Sequence, residues 1–202
     1  MFHWIHGASV SLQGHLRARL EAEPSLEAFA NQVATVSLHT PEEMGELAEQ
    51  GLSLWLYRVV RDEFQLNRPP TRVAPDRLRR APLPVRLHYL LTPIMTVGNG
   101  VGAPELEQLI VGKILEIFHD QPTLRGADLS GGLAGADVEL TVRLETLSLE
   151  EITRVWDALE RSYQLCLSYE VSLVPIFATR ETATGAPVVV VEPELGLAGV
   201  PA

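Results

Sequence analysis

Five prolines lie within residues 62–84 and constrain the fold of this chain more than any other feature. They are Pro69, Pro70, Pro75, Pro82 and Pro84. Proline has no amide hydrogen and is excluded from helix interiors and from central strands. We therefore predict that residues 62–84 form a long arm or loop between two regular segments. A structureless connection of this length within a compact domain usually has a function.

The segments on both sides of the arm have the pattern of β-strands. Residues 52–60 carry apolar side chains on both alternating faces, which predicts a central strand covered on both sides. Residues 85–92 form the next predicted strand. Residues 138–145 alternate between apolar and polar side chains, as a half-buried strand does. Residues 165–173 are predicted to form a long final strand, and residues 33–38 are β-branched enough to form another.

Three segments have the periodicity of amphipathic helices. Apolar residues recur at helical spacing from Trp4 to Leu20, and Pro24 is expected to end this helix. Residues 104–120 begin with a proline, which suits a first helical turn. Residues 148–151 form a capping box that opens the third helix. Runs of neighbouring strands interrupted by few helices predict an α+β fold, with a mainly antiparallel mixed sheet flanked by about three helices.

The charges of the chain are segregated. Residues 58–86 contain eight of the 16 basic residues and three of the 26 acidic residues, although the net charge of the whole chain is −10. The eight basic residues are Arg58, Arg61, Arg68, Arg72, Arg77, Arg79, Arg80 and Arg86. Arginine suits bidentate pairing with carboxylates at interfaces. A positive arm on a negative body predicts head-to-tail assembly of identical subunits, or docking to an acidic partner surface.

Two other interpretations of the arginine-rich segment 58–86 stay open at this point. One is an ordinary solvated loop. The other is a small regulatory or nucleic-acid-binding module, although the segment has few aromatic residues to stack on bases. An acidic chain is also a poor general binder of nucleic acid or of anionic membranes. We therefore expect neither nucleic acid nor a membrane as a partner.

A second unusual segment lies near the C-terminus. It consists of four consecutive β-branched residues, Val188, Val189, Val190 and Val191, between Pro187 and Pro193. A short run bracketed by prolines cannot extend far into a central sheet. It can add at a sheet edge, either of its own domain or of another chain. We predict that it forms a short strand, with pairing inside its own domain as the simpler alternative.

No arrangement of residues indicates catalysis, a cofactor or a metal ion. The glycines at 98, 100 and 102 lack the spacing of a dinucleotide fingerprint. His3 and His6 have a spacing that metals use but no third ligand nearby. We expect His88 to pack against a polar neighbour, and we expect the lone Cys166 to be a buried small hydrophobe. The prediction is a non-enzymatic protein without cofactors.

Several short motifs in the chain occur together, in the same order, in a known family. They are Leu56-Tyr57-Arg58, Asn67-Arg68-Pro69-Pro70, Pro82-Leu83-Pro84, Leu87-His88-Tyr89-Leu90-Leu91-Thr92, His119-Asp120-Gln121-Pro122, Leu147-Ser148-Leu149-Glu150-Glu151, Trp156, Tyr163 and Ser168-Tyr169. From about residue 5 to residue 177 the chain resembles the cap, or tail-terminator, family of extracellular contractile injection systems. These are particles of the virulence-cassette and antifeeding-prophage type.

The resemblance implies a structural role and a fold like that of phage tail terminators. Members of the family form a six-membered ring at the end of the particle distal to the baseplate. The ring closes the inner tube and the last sheath layer and so stops elongation. The implied partners are other copies of the chain, the sheath protein and the inner-tube protein. The implied location is cytoplasmic assembly into a phage tail-like particle, which is in some cases released.

The resemblance also suggests how the chain is divided. We predict a tail-terminator domain over residues 1–177 and a C-terminal extension with a short strand over residues 178–202. The eight arginines of segment 58–86 and the four valines at 188–191 are the predicted contact residues toward another subunit, the sheath or the tube. Neither set has an obvious place in a compact core.

Overall fold

Helices and strands follow one another along the chain in a mixed order. A computed structural model describes residues 2–97 and 101–185, and the elements below lie within these ranges. The helices are α1 (Trp4–Glu21), α2 (Glu27–Ala30), α3 (Pro41–Glu46), α4 (Pro104–Asp120) and α5 (Leu149–Ala158). The strands are β1 (Thr35–Ser37), β2 (Gly51–Arg61), β3 (Thr71–Ala74), β4 (Arg77–Arg79), β5 (Leu83–Ile94), β6 (Thr96–Val97), β7 (Val101–Gly102), β8 (Thr123–Arg125), β9 (Glu139–Leu144), β10 (Leu167–Ile176) and β11 (Glu181–Ala183).

The main sheet has six strands in the order β1-β2-β5-β10-β9-β8. Strands β1 and β2 are parallel, and the other neighbours are antiparallel. The two strands that flank the arm, β2 and β5, pair directly with each other. The pairing runs from Gly51 opposite Ile94 to Arg61 opposite Val85. This confirms the predicted α+β fold with a mainly antiparallel mixed sheet. The three predicted helices are present, together with the short helices α2 and α3.

Helices α1 and α4 cover one face of the sheet and form the main core. Their apolar side chains recur every three or four residues, so that each helix turns one stripe toward the sheet. The fully buried members of this core include Leu12, Leu16, Leu20, Ile110, Ile114, Leu52, Leu87, Leu91 and Val171. Tyr89 lies among them, and its hydroxyl group is 2.8 Å from Ser9 Oγ. Because Tyr89 is buried, its pKa rises to about 12.

Helix α5 covers part of the opposite face of the sheet. Its first turn is capped as predicted, because Ser148 Oγ accepts the amide of Glu151 and the Glu151 carboxylate accepts the amide of Ser148. Trp156 packs in a second, smaller core with Leu90 and Cys166. The rest of this face carries polar side chains.

One strand prediction is wrong in part. Strand β2 is buried on both faces only at its beginning, and its last four residues are half-buried or exposed. The reason is that β1 is short and pairs only with Gly51, Leu52 and Ser53. Beyond Ser53, the described residues contribute no strand on this side of β2. None of the described helices is long and apolar enough to cross a membrane.

Candidate functional site

The arm is an ordered β-hairpin and not a structureless loop, so that part of the prediction is wrong. Strands β3 and β4 pair antiparallel within residues 62–84, and β11 adds to β4 as a third strand. The prolines do not interrupt these strands. Pro69 and Pro70 precede β3, Pro75 lies in the turn between β3 and β4, and Pro82 follows β4. Proline is tolerated at these positions because no ladder hydrogen bond requires its amide.

The last residues that the structure describes lie at the tip of this hairpin. Strand β11 runs antiparallel to β4, from Glu181 opposite Arg79 to Ala183 opposite Arg77. It therefore runs away from the main sheet and toward the turn. The amide of Thr184 donates to the carbonyl oxygen of Asp76 in that turn, at 2.8 Å. The four valines at 188–191 come shortly afterwards, outside the described residues.

Four of the eight arginines form ion pairs with carboxylates. Glu181 accepts Arg79 at 2.8 Å and Arg77 at 3.5 Å, which fastens β11 to the hairpin. The hydrogen bond from Arg79, together with that from Arg77, holds the pKa of Glu181 below its usual range. Arg86 pairs with Glu170 at 2.9 Å, and Arg61 lies 3.9 Å from Glu63.

The other four arginines have no carboxylate within ion-pair distance among the described residues. Arg68 donates to the side-chain oxygen of Gln65, and Arg72 donates to the carbonyl oxygen of Pro75, both at 2.5 Å. Neither contact neutralises the charge. Arg58 and Arg80 are exposed and form no ion pair with the described residues. The arm and the adjoining end of β2 thus keep a positive charge.

Apolar side chains are exposed beside these arginines. Phe64 is 90% exposed at the base of the arm, and Leu66, Val73 and Leu83 are each more than a third exposed. Exposed apolar side chains mixed with arginine are typical of protein–protein interfaces. A groove of about 510 Å³ at the base of the arm is lined by Leu66, Pro70, Pro82, Leu83 and Phe177, among others. The structure thus brings the predicted arginines onto one hairpin and its base, together with apolar neighbours that the charge pattern did not reveal.

A second polar cluster lies on the sheet face that carries α5. His88 Nδ1 donates to Glu145 Oε1 at 2.8 Å, which confirms the predicted polar neighbour of His88. Ser168 Oγ donates to Glu145 Oε2 at 2.7 Å. The Tyr57 hydroxyl group is 3.0 Å from Ser168 Oγ and acts as the donor there, because the one hydroxyl hydrogen of Ser168 is already used. Burial raises the pKa of Glu145, but the hydrogen bonds from His88 and Ser168 outweigh it, and the net pKa is lowered.

This cluster includes residue types that ligate metals. Side-chain ligand atoms of His88, Glu145 and Glu170 lie within 4.8 Å of one another. However, Arg86 occupies one oxygen of Glu170, and His88 and Ser168 bond the two oxygens of Glu145. A neighbouring guanidinium also repels a cation. The arrangement therefore serves as an ion-pair and hydrogen-bond network that ties β5, β10 and the end of β9 together.

The other candidate residues have structural roles. Cys166 is buried as predicted, and burial raises the pKa of its thiol, which is opposite to what a nucleophile needs. Trp156 Nε1 donates to its sulfur atom at 3.4 Å. His3 and His6 are both exposed on the first helical turn. His119 lies in the last turn of α4, where the helix dipole favours a basic side chain.

Comparison with known proteins identified a family and solved structures of similar fold. The sequence model described as the Pvc16 N-terminal domain matches residues 9–190. The fold is similar to the cryo-EM structure of an extracellular contractile injection system, the PVC sheath/tube terminator in its extended state, with a TM-score of 0.64 and 20% identity over 98% of this chain. It is also similar to the anti-feeding prophage cap, a tube-terminating cap, with a TM-score of 0.62 and 18% identity over 93% of this chain.

The structures that this chain resembles are longer than the chain itself. The chain spans 65% of the PVC terminator and 60% of the anti-feeding prophage cap. A search of the curated proteins found no significant match. The family match extends past residue 177, and the division into residues 1–177 and 178–202 stays a prediction. Because the family model matches most of the chain, this protein belongs to the Pvc16 N-terminal domain family, whose structural neighbours are terminators of contractile injection systems.

Proposed function

We propose that this protein is a structural cap of a contractile injection system. In this role it forms a hexameric ring at the distal end of the particle, closes the inner tube and the sheath, and stops their elongation. The observation that carries the proposal is the combination of the family match with the terminator fold over nearly the whole chain. The role requires surfaces and no reaction, and we propose that the protein is not an enzyme. Assembly in the cytoplasm is part of the same proposal.

The arm supplies the surface that such a role needs. A ring of identical subunits uses a heterologous interface, in which one patch meets a different patch. The arm offers three arginines without carboxylate partners among the described residues, together with the exposed Phe64, and Arg58 adds a fourth on the adjoining end of β2. The body of the same chain carries the large acidic excess. We propose that the arginines of segment 58–86 and the valines 188–191 contact neighbouring subunits, the sheath or the tube.

Binding of nucleic acid by the arm is the second candidate. The arginines without ion pairs favour binding of nucleic acid. However, Arg77 and Arg79 already form ion pairs with Glu181, and the described residues of the arm expose only one aromatic ring, that of Phe64. Single-stranded nucleic acid is usually bound by several stacking rings beside the basic groups. A nucleic-acid binder loses affinity steeply as salt rises. Failure to bind oligonucleotides at low salt excludes this candidate.

Electron microscopy of particles from a strain that lacks this protein tests the main proposal. We expect tubes and sheaths of uncontrolled length without a ring at the distal end. Particles of normal length with intact ends would overturn the proposed function.

Complementation of the deletion strain assigns the role of the arm. The variant Arg68→Ser/Arg72→Ser/Arg80→Ser removes three positive charges from the arm. Among the described residues, no carboxylate forms an ion pair with these three arginines. The matched control, Arg17→Ser/Arg125→Ser/Arg154→Ser, removes three exposed arginines of the body. We expect the control to restore normal length and the arm variant to fail, although both remain folded. Equal rescue by the two variants would exclude the arm as the contact surface.

A further inference from the structure

The last residues of β2 leave one side of the main sheet open. β1 pairs with β2 only as far as Ser53, and within the described residues no strand continues it. Arg58 and Arg61 are exposed here, and Val59 is 46% exposed. An open edge presents unpaired amide and carbonyl groups that accept another strand. Its arginines select for a strand with acidic side chains.

The chain itself contains a segment with the matching chemistry. Residues 188–191 are all valine, which has a high preference for strands, and acidic residues follow at Glu192 and Glu194. Pro187 and Pro193 limit a strand here to five residues. Such a strand suits an edge, because proline at its ends removes no ladder bond. Its acidic end complements Arg58 and Arg61.

The position at which the described chain ends argues for pairing between two copies. Gly185 follows Thr184, which is bonded to Asp76 at the tip of the arm. Val188 is three residues farther along, a span of at most ~11 Å. The return path from the tip to the end of β2 covers the seven residues from Asp76 to Leu83, roughly 20 Å if extended. To pair along its own β2, the chain would therefore have to reverse at the tip of the arm and run back almost fully extended, whereas pairing with a second copy requires no reversal.

We propose that the segment 188–192 of one copy adds as an edge strand to the open side of β2 in a second copy. Glu192 and Glu194 then lie near Arg58 and Arg61 of that copy. The pairing is heterologous, because the tail of each copy meets the sheet edge of the next. This inference rests on the proposed assembly role and names the contact that joins two copies.

Cysteine cross-linking between two differently tagged full-length chains tests the pairing. One chain carries Val59→Cys, and the other carries, in turn, a cysteine in place of each valine from 188 to 191. A disulfide forms only when the two Cα atoms lie about 4.4–6.8 Å apart. The native Cys166 is buried and is left in place. Ala127→Cys, on an exposed turn next to β8 at the opposite end of the strand order, replaces Val59→Cys as the control.

The pairing predicts a cross-link between differently tagged chains for Val59→Cys and not for Ala127→Cys. Val189→Pro, added to the chain that carries the cysteine at 190, should lower the yield of the cross-link roughly tenfold, which corresponds to about 1.4 kcal/mol. The conservative variant Val189→Thr should preserve the yield of the cross-link. A further variant carries Val59→Cys and the tail cysteine in the same chain; a cross-link that forms only within that chain would overturn the proposal, as would the absence of any cross-link. Normal particle length in a strain complemented with Val189→Pro would also overturn this contact, while the terminator role itself would stand.

Discussion

At the residue scale, Gly51 is the first residue of β2 and pairs with Thr35 of β1 in a backbone conformation that favours glycine. Its φ angle is +133°, and a Cβ atom added there would lie 1.9 Å from the carbonyl oxygen of Thr35. This backbone cannot yield without breaking the pairing of β1 with β2. We expect Gly51→Ala to destabilise the protein by at least ~2 kcal/mol, a fall in the melting temperature of roughly 4–8 °C.

Gly112 in α4 is the matched control, because nothing lies within 4 Å of a Cβ atom added there. Gly112→Ala should raise stability by up to about 1 kcal/mol, the difference in helix preference between the two residues. Thermal unfolding of both variants measures the contrast. A Gly51→Ala protein as stable as the parent would show that β1 is not held where the structure has it.

Also at the residue scale, Glu145 makes the stability of the sheet depend on pH. Its pKa in the folded protein is below the usual value of 4.5, since hydrogen bonds from His88 and Ser168 outweigh the effect of burial. The ionised carboxylate therefore stabilises the fold above pH 4.5, and this contribution disappears as the pH falls through the lower, folded-state pKa. In Glu145→Gln, the loss of stability below pH 4.5 should be smaller than in the parent.

Urea unfolding at a series of pH values between 7 and 3 measures this difference. Glu46→Gln, at an exposed position of α3, is the control and should follow the parent. Identical pH dependence in the parent and in Glu145→Gln would show that the contact with His88 contributes nothing to folding.

The same cluster shows which part of a site a sequence reveals. His88 alternates with core residues, and this pattern was enough to predict a polar neighbour. Which neighbour that is depends on β10 lying between β5 and β9, because Glu145 is 57 residues away along the chain. Local periodicity carries no information on such a pairing, so the network of Tyr57, Glu145 and Ser168 was not predicted.

At the scale of elements, one carboxylate reinforces the backbone pairing that attaches β11 to the arm. Glu181 bonds both Arg79 and Arg77 on the neighbouring strand. We expect Glu181→Ala to loosen β11 and to expose the arginines of β4 to trypsin, with a cleavage rate roughly two- to fivefold higher, since exposed ion pairs contribute little individually. Limited proteolysis followed by mass spectrometry locates the cut.

The control for this prediction is Glu21→Ala, which removes an exposed carboxylate paired with Arg17 on α1. It should leave cleavage in the arm unchanged. Unchanged cleavage in Glu181→Ala as well would mean that backbone pairing alone holds β11 in place.

Long elements were predictable, whereas most short strands were not; β1 is the exception, since it lies within the strand predicted over residues 33–38. Helix α4 begins and ends where the proline at 104 and the apolar periodicity place it. The strands β3, β4, β8 and β11 have three or four residues each, too few for an alternating pattern to stand out. They exist because neighbouring strands offer them hydrogen-bonding partners. The prolines at 69, 70, 75 and 82 do interrupt the chain, as predicted, and the stretches between them are long enough for the two strands of a hairpin, but Pro84 lies within β5, which the predicted break did not allow.

At the scale of the whole molecule, the separation of charge makes association depend on salt. The arginine-rich segment 58–86 has eight basic and three acidic residues, while the rest of the chain has eight basic and 23 acidic residues. Contacts between exposed charges are screened beyond about 8 Å at physiological ionic strength and beyond about 3 Å at 1 M. Copies that meet arm to body should therefore associate less tightly as salt rises, as seen by sedimentation velocity from 0.05 to 0.5 M NaCl.

The triple variant of Arg68, Arg72 and Arg80 to serine separates this effect from a general response to salt. The triple variant should associate weakly at low salt, and its association should depend less on salt concentration, because the charges that salt would screen are gone. The body variant of Arg17, Arg125 and Arg154 should keep the slope of the parent. Association that strengthens with salt would instead indicate an interface dominated by apolar burial, with Phe64 and its exposed apolar neighbours as the contact residues. The sign of the slope thus decides which of the two kinds of side chain on the arm drives assembly.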